Sequence, residues 1–322
     1  MMWPLAGYLA LFAGTAATML VAGIHVTKAA EQIAAASRYG RGWVGFLLLS
    51  AVTSLPEAVT GISSVGAYDL PNIAVGDALG SLQANLLILS VASLAYVAAV
   101  PRDIMWHRTS TTALIGLLAV LLAIFAFGRH TAWVAGVGLA TPLLLLAHPA
   151  LARFQMRRLR NPGLERHPVV PGAWMRFAIA SGFVVCAGLL LPLAARGIAD
   201  GAGLGRTVVG TLIVAAATSL PEAVVTIAAF RQGSVDLAVS DILGSNTFDL
   251  FLIGVEDIIY PHGPLLAAVE PLHGYTIAGA VLLHAITLWA LGQRNQLMGG
   301  RAWLVVAGYL GVQAVFLWRA AA

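Results

Sequence analysis

Two glutamates lie within strongly apolar stretches of the sequence, and each belongs to a copy of the same short motif. TSLPEAV occupies residues 53–59 and recurs unchanged at residues 218–224, which places Glu57 and Glu222 at the same motif position. A carboxylate within a hydrocarbon layer costs about 2.5–3.5 kcal/mol, so such acids are usually functional. Apart from Arg231 at a segment end, these stretches contain no Lys or Arg. We therefore expect the two glutamates to bind a cation taken from solution.

A proline precedes each glutamate, and it should break the helix there. Pro56 and Pro221 lack an amide hydrogen and clash with the carbonyl one turn earlier. Broken backbone is tolerated at membrane depth only where it lines a cavity or is buried in protein. Ca²⁺ binds about six to eight oxygens, carbonyls and carboxylates among them, and Na⁺ accepts the same ligand type. The candidate oxygens beside the two breaks are the hydroxyls of Thr53, Ser54, Thr218 and Ser219 and the backbone carbonyls near Ser50 and Ala215.

A second repeated motif follows each glutamate segment and carries polar residues at every fourth position. AVGDALGSLQANLLIL in the first half aligns with AVSDILGSNTFDLFLI in the second. Residues four apart lie on one face of a helix, so each helix would present a polar stripe to the glutamates. The stripes are Asp77, Ser81 and Asn85 in the first copy and Asp241, Ser245 and Asp249 in the second. By their offset, Asp77 and Asp241 should lie a turn or two from the centre, either lining a cavity or hydrogen-bonding between helices.

The elements that must position these residues are membrane-spanning helices. Hydrophobic residues make up 59% of the chain, charged residues 10%, and the mean hydropathy is +0.87, which is outside the range of globular proteins. A span needs about 20 apolar residues. Ten such stretches lie near residues 5–25, 43–66, 71–98, 111–127, 132–151, 174–195, 207–230, 236–255, 271–292 and 302–318. The sequence therefore predicts an all-α polytopic membrane protein of ten transmembrane helices.

The duplication predicts two halves of opposite orientation. The repeated motifs fall on spans 2 and 3 and again on spans 7 and 8, and an offset of five spans reverses their direction across the membrane. We expect a first five-helix repeat at residues 1–152, a basic linker at 153–171 and a second repeat at 172–322. Inverted repeats of this kind are a plan of secondary transporters, with ion sites near the bilayer midplane where the repeats meet.

The basic residues predict how the chain sits in its membrane. Of the 18 Lys and Arg, 14 fall on one side of the ten-span arrangement and 4 on the other. The positive-inside rule makes the richer side cytoplasmic, so the 153–171 linker should be cytoplasmic and both termini outside. The charge is scattered through short loops rather than concentrated in one domain, so no nucleic-acid partner is expected. The shortness of the loops indicates a protein of a prokaryotic cytoplasmic membrane.

TSLPE followed by GSxxxN in the first half, and by GSNTFD in the second, resembles the two α-repeats of the sodium/calcium exchanger family of cation/calcium antiporters. The resemblance implies exchange of Ca²⁺ for Na⁺ by alternating access, with spans 1 and 6 sliding against the remainder. In one respect the first repeat departs from the family, which usually reads GSNxFN, because here it reads GSLQAN, with Leu82 and Gln83. The LQANLLIL run also resembles the related calcium/proton exchangers, so H⁺ remains an alternative counter-ion.

The resemblance also implies a set of ion ligands. Glu57 and Glu222 would bind Ca²⁺ together with oxygens of Thr53 and Thr218. No cofactor is implied, because the ions are transported substrates. Neighbouring Na⁺ sites would use Ser54, Ser81, Ala215, Ser219 and Ser245, with Asn85 and Asp249 beside the glutamates.

Two other functional classes could use intramembrane acids. A hydrolase or metal-dependent transferase would hold a catalytic metal, but catalysis needs different groups on the two sides of the reacting centre. The motifs here are nearly the same in both halves, so we expect no enzyme. A passive channel could be lined by the same residues, and saturable counter-transport would distinguish an exchanger from it.

Overall fold

The computed structural model describes residues 3–34, 49–96, 104–134, 136–158, 170–291 and 298–322, and almost all of them are helical. The helices are α1 (Leu5–Ala34), α2 (Ser50–Thr53), α3 (Leu55–Gly66), α4 (Pro71–Ala95), α5 (Ile104–Phe127), α6 (Thr141–Arg158), α7 (Ala173–Ala202), α8 (Arg206–Thr218), α9 (Leu220–Arg231), α10 (Val235–Ile259), α11 (Leu265–Ala268), α12 (His273–Ala290) and α13 (Ala302–Ala321). Two short strands, β1 (Ala132–Val134) and β2 (Val137–Gly138), pair antiparallel.

Several helices are suited to a membrane by length and composition. Within the described ranges, five helices are long and apolar enough to cross it, and α8 with α9 makes a sixth if that bent pair is one span. The five spans are Leu5–Ala30, Pro71–Ala95, His107–Phe127, Ala173–Ala202 and Gly299–Ala321. The chain is thus a polytopic helical membrane protein, as the sequence predicts. The full count of ten spans stays a prediction, and part of the second predicted span, residues 43–48, lies outside the described residues.

One predicted span begins differently in the structure. Strands β1 (Ala132–Val134) and β2 (Val137–Gly138) lie where the prediction has the first turns of a helix, and α6 begins only at Thr141. The cause is a contact distant in sequence: the buried Asp257 carboxylate accepts hydrogen bonds from the Gly138 amide at 2.6 Å and from the Thr141 hydroxyl. This anchor fixes the hairpin against the end of α10. The prediction of a helix from residue 132 was therefore wrong at its start.

Two helices form the centre of the bundle. Both α4 and α10 are buried over most of their length and pack against each other, while α4 also packs against α12 and α10 against α6. At Gly80, α4 closely approaches α8, since a Cβ at this position would lie 2.7 Å from the Ala215 Cβ and would collide with the Thr211 carbonyl. The part of α8 that it meets, Val209–Val214, is π-helical, a geometry often found at functional sites. The glycine therefore brings the polar stripe of α4 against the second TSLPE segment.

The long helices α1 and α7 pack along each other at one side of this centre. Their outer faces carry large exposed apolar side chains, among them Val21, which is 56% exposed, and Phe183, which is 57% exposed. Such faces are suited to contact with lipid, where apolar exposure carries no penalty.

Candidate functional site

Both TSLPE segments break their helix at the serine. Helix α2 ends at Thr53 and α3 begins at Leu55, with Ser54 between them at φ −81° and ψ 13°. Ser219 separates α8 from α9 with nearly the same angles, φ −79° and ψ 6°, and the second pair is bent by 43°. The prolines fall in the first turn of the following helix, where an amide hydrogen would have no partner within the helix. The structure thus has the breaks that the prolines predict.

The glutamates occupy the first turn of the helices that start at these breaks. Glu57 lies in the first turn of α3 and Glu222 in the first turn of α9. The amides at a helix N-terminus favour a negative charge, so each carboxylate has some local stabilisation. Both are buried, with 3% and 1% of their surface exposed, and among the described residues no Lys, Arg or His forms an ion pair with either.

Each break reaches the glutamate of the other copy. The Ser54 hydroxyl donates to Glu222 Oε1 at 3.3 Å, and the Ser219 hydroxyl donates to Glu57 Oε1 at 3.5 Å. The two contacts are reciprocal, because residue 54 pairs with 222 while its counterpart 219 pairs with 57. Reciprocal pairing of equivalent residues is typical of a two-fold relation between the parts that meet. The two motifs therefore build one site together.

The threonines of the motifs pair with the outer members of the polar stripes. Thr218 Oγ1 donates to Asp77 Oδ1 at 2.8 Å, and the equivalent contact, from Thr53 Oγ1 to Asp241 Oδ1, is 3.5 Å. Both aspartates are almost fully buried. Of the two interpretations that the sequence left open for these acids, hydrogen bonding between helices matches these contacts.

The stripe serines complete the same pattern. Ser81 lies 3.5 Å from Thr218 Oγ1, and Ser245 lies 3.4 Å from Thr53 Oγ1. Ser245 also donates to Glu222 Oε1 at 3.5 Å, so it bridges a threonine of one copy and a glutamate of the other. The structure thus brings both TSLPE segments and both stripes into one network.

Several acceptor oxygens of this network are buried without a hydrogen-bond donor among the described residues. Buried polar atoms nearly always have partners, so a cluster of unsatisfied acceptors points to a missing positive charge. These atoms are Glu57 Oε2, Glu222 Oε2, Asp77 Oδ2, Asn85 Oδ1 and both carboxylate oxygens of Asp249. The arrangement can hold cations through oxygens alone.

The two predicted backbone ligands are already hydrogen-bonded. The Ser50 carbonyl accepts from the Ser54 amide at 2.9 Å and lies 3.2 Å from Thr53 Oγ1. The Ala215 carbonyl accepts from the Ser219 amide at 3.1 Å and lies 3.3 Å from Thr218 Oγ1, whose single hydrogen is donated to Asp77. A carbonyl oxygen has two lone pairs, and the role of these two as ion ligands stays a prediction.

Sequence reasoning missed three residues near this network. Asn246 hydrogen-bonds Asn85 at 2.9 Å and His284 at 3.0 Å. Asn246 could have been noticed because it stands within GSNTFD, where the first copy has Leu82. His284 stands alone in an apolar stretch, a pattern more typical of packing or interfacial residues than of residues at an ion site.

The third missed residue is an additional buried acid, Glu256 on α10. It is 1% exposed, its Oε2 has no hydrogen-bond partner among the described residues, and its carboxyl group occupies the space that a side chain at Gly61 would fill. The aligned residue in the first copy is Ala92, so this acid breaks the repeat. Glu256 lies just beyond the predicted span 236–255, which is why it was not counted as an intramembrane acid.

An apolar helical bundle with a buried, oxygen-lined group of acids is typical of membrane proteins that transport cations. Comparison with known sequences gives the family. The sequence model described as sodium/calcium exchanger protein matches residues 7–147 and residues 172–318. The chain belongs to this family, and the resemblance inferred from the motifs is confirmed. It is accordingly an integral membrane protein of the cation/Ca²⁺ antiporters.

Three relatives show how far the similarity extends. Inner membrane protein YrbG of Escherichia coli (strain K12) is 28% identical over 298 residues, which cover 85% of this chain and 86% of YrbG. Sodium/calcium exchanger MaX1 of Methanosarcina acetivorans is 48% identical over 60 residues, 18% of this chain and 17% of MaX1. A structure of the sodium-calcium exchanger NCX_Mj, soaked with 2.5 mM Na⁺ and 0.1 mM Ca²⁺, superposes with a TM-score of 0.68 at 19% identity, covering 95% of this chain and 97% of NCX_Mj. At this identity the structural likeness supports the fold.

Proposed function

We propose that this protein exchanges Ca²⁺ for Na⁺ by alternating access at the site between the two TSLPE segments. The observation that carries the proposal is the reciprocal pairing of Ser54 with Glu222 and of Ser219 with Glu57. A single site shared by two equivalent segments can be reached from either side by equivalent movements, as alternating access requires. Exchange of Ca²⁺ for H⁺ at the same site is the alternative.

The proposed ligands follow the network. Ca²⁺ binds between the carboxylates of Glu57 and Glu222, with oxygens of Thr53 and Thr218 beside them. Na⁺ uses the surrounding oxygens, and the shared carboxylates make the two ions mutually exclusive. The residues assigned to Na⁺ are Ser54, Ser81, Ala215, Ser219 and Ser245, with Asn85 and Asp249 beside the glutamates.

The charge of the site supports exchange of unequal charges. Glu57, Glu222 and Asp249 together carry up to three negative charges. Three Na⁺ neutralise them, whereas one Ca²⁺ leaves one charge for a proton to neutralise, and we assign that proton to Asp249. Exchange at this ratio moves one net charge, worth about 2.3 kcal/mol per 100 mV of membrane potential. Electrical silence of transport would refute this stoichiometry.

The proposed architecture is two inverted five-helix repeats, with ten spans, both termini outside and the 153–171 linker in the cytoplasm. The reciprocal contacts support the two-fold relation. The near-equivalence of the two motifs argues against an enzyme, since a catalytic metal site needs distinct groups on its two sides. The near-equivalence of the motifs does not distinguish an exchanger from a passive channel, so transport measurements must do so.

The test is uptake of radiolabelled Ca²⁺ into proteoliposomes loaded with Na⁺, compared with vesicles that carry only an outward proton gradient. We expect uptake that requires internal Na⁺ and is lost in Glu222→Gln. Asp69→Asn is the matched acid-to-amide control, because Asp69 is exposed and lies beyond the C-terminal end of α3, whereas Glu57 is in the first turn of that helix. Uptake driven by protons alone would favour the H⁺ alternative, and uptake that neither gradient affects would indicate a channel.

A further inference from the structure

His284 of α12 is fully buried, and the partners of its ring nitrogens fix its tautomer. Nδ1 lies 2.8 Å from the Ala280 carbonyl oxygen, which only accepts hydrogen bonds, so Nδ1 carries the hydrogen. Among the described residues no carboxylate is hydrogen-bonded to this ring, and a buried imidazolium without an acidic partner is costly. His284 is therefore neutral, and its Nε2 has a lone pair to accept a hydrogen bond.

The side-chain amide of Asn246 is fixed by two such acceptors. Its Nδ2 lies 3.0 Å from His284 Nε2 and 3.3 Å from the Leu82 carbonyl oxygen. Both amide hydrogens are thus used, and neither acceptor could face the amide oxygen instead. The Oδ1 of Asn246 must therefore point the other way, where it lies 2.9 Å from Asn85 Nδ2.

This chain of donors and acceptors determines the orientation of Asn85. Its amide nitrogen donates to Asn246, so its Oδ1 points elsewhere. That oxygen is buried, without a hydrogen-bond donor among the described residues. An asparagine has one face that binds cations, the carbonyl oxygen, and one that repels them, the NH₂ group. The series of hydrogen bonds from His284 through Asn246 therefore leaves the carbonyl oxygen of Asn85, and not its NH₂ group, free to bind a cation.

The two copies of the motif differ in a way that fits this role. Asn85 aligns with Asp249, and Asn246 aligns with Leu82. A carboxylate presents an oxygen whichever way it is rotated, so Asp249 needs no residue to orient it. By the two-fold relation, Leu82 is the counterpart of Asn246 beside the acid, where no orienting amide is needed, whereas Asn246 contacts the amide that does need orientation. The departure at Leu82 from the usual GSN of the family is compatible with this role.

We propose that Asn246 and His284 are positioning residues that hold the Asn85 carbonyl oxygen toward the transported cation. This inference rests on the proposed function only in that Asn85 faces the ion. Removing the donor–acceptor chain leaves the amide free to turn its NH₂ group to the cation. The consequence is weaker ion binding, with little change in the rate at saturating ion.

The test is a double-mutant cycle of Asn246→Leu and Asn85→Asp, with each variant alone and both together. For each protein the Ca²⁺ concentration for half-maximal uptake into proteoliposomes is measured. In the unmutated background we expect Asn246→Leu to raise this concentration about tenfold, the effect of one buried hydrogen bond. In the Asn85→Asp background, Asn246→Leu should not raise the Ca²⁺ concentration for half-maximal uptake, because a carboxylate needs no orientation. Residues in one network show such coupling, whereas independent effects add.

A purely structural role for Asn246 predicts an equal cost in both backgrounds, and that result would overturn the proposal. His284→Phe serves as the second variant should Asn246→Leu fail to fold. It should act in the same direction by about threefold, since the Leu82 carbonyl still holds one amide hydrogen. Uptake by the unmutated chain reports separately on the proposed function. If that uptake is absent, the same set of variants is compared by the rise in unfolding temperature that Ca²⁺ causes in the purified protein. An equal loss of this stabilisation on Asn246→Leu in both backgrounds would again refute the positioning role.

Discussion

Gly80→Ala should damage the ion site by separating two helices, although the residue binds nothing itself. A methyl group there would lie 2.7 Å from the Ala215 Cβ, about 0.7 Å short of ordinary contact, and would collide with the Thr211 carbonyl. We expect α4 to move away from α8 by a similar distance. The 2.8 Å hydrogen bond between Thr218 and Asp77, which joins the same two helices, would then lengthen beyond its useful range.

The expected magnitude combines two effects. Overpacking a tight contact costs about 1–3 kcal/mol, and loss of a buried hydrogen bond to a carboxylate costs about 1.5–3 kcal/mol. Because the two effects share one movement they do not add fully, and we expect a loss of about 2–5 kcal/mol. Thermal unfolding of the purified protein measures the stability, and Ca²⁺ uptake measures the site.

Gly116→Ala is the matched control, because a Cβ at Gly116 on α5 meets no atom within 4 Å. Alanine is favoured over glycine inside a helix, so this variant should be neutral or slightly stabilising. If Gly80→Ala unfolds and transports like Gly116→Ala, then the close approach of α4 and α8 does not position the site, and the reasoning fails.

Two further predictions concern single contacts. Thr218→Val should weaken Ca²⁺ uptake more than Thr53→Val, because the hydrogen bond from Thr218 to Asp77 is 2.8 Å long whereas its counterpart is 3.5 Å; equal losses would show that these hydroxyls act in another way. Gly61→Ala should destabilise the protein by about 1–3 kcal/mol in thermal unfolding, because its methyl group meets the Glu256 carboxyl group. Adding Glu256→Ala should restore that stability, and a double variant as unstable as Gly61→Ala would contradict this contact.

The sequence predicts those parts of the site that depend on local chemistry. Pro56 and Pro221 break their helices because proline removes a donor whatever the surrounding fold, and the breaks fall at Ser54 and Ser219. The polar residues of each stripe are four positions apart, and the period of an α-helix alone places them on one face. These local rules identify the residues that the structure brings together.

The remaining features depend on contacts between residues far apart in the chain. Spacing within one motif does not reveal that Ser54 reaches Glu222 rather than its own neighbour Glu57. The β1–β2 hairpin replaces a predicted helical turn because of a carboxylate more than a hundred residues away, that of Asp257. Glu256 was missed because hydropathy placed the end of its span a residue too early.

The amide-for-acid difference between Asn85 and Asp249 also sets the charge of the proposed ion site. With Glu57 and Glu222, a second aspartate would give four carboxylates and a second asparagine would give two. Four charges would favour Ca²⁺ over Na⁺ so strongly that release would slow, while two would leave no charge for a third Na⁺. An intermediate charge of three therefore suits exchange between the two ions. It requires one neutral oxygen ligand that stays correctly oriented, which is the role proposed for the neighbours of Asn85.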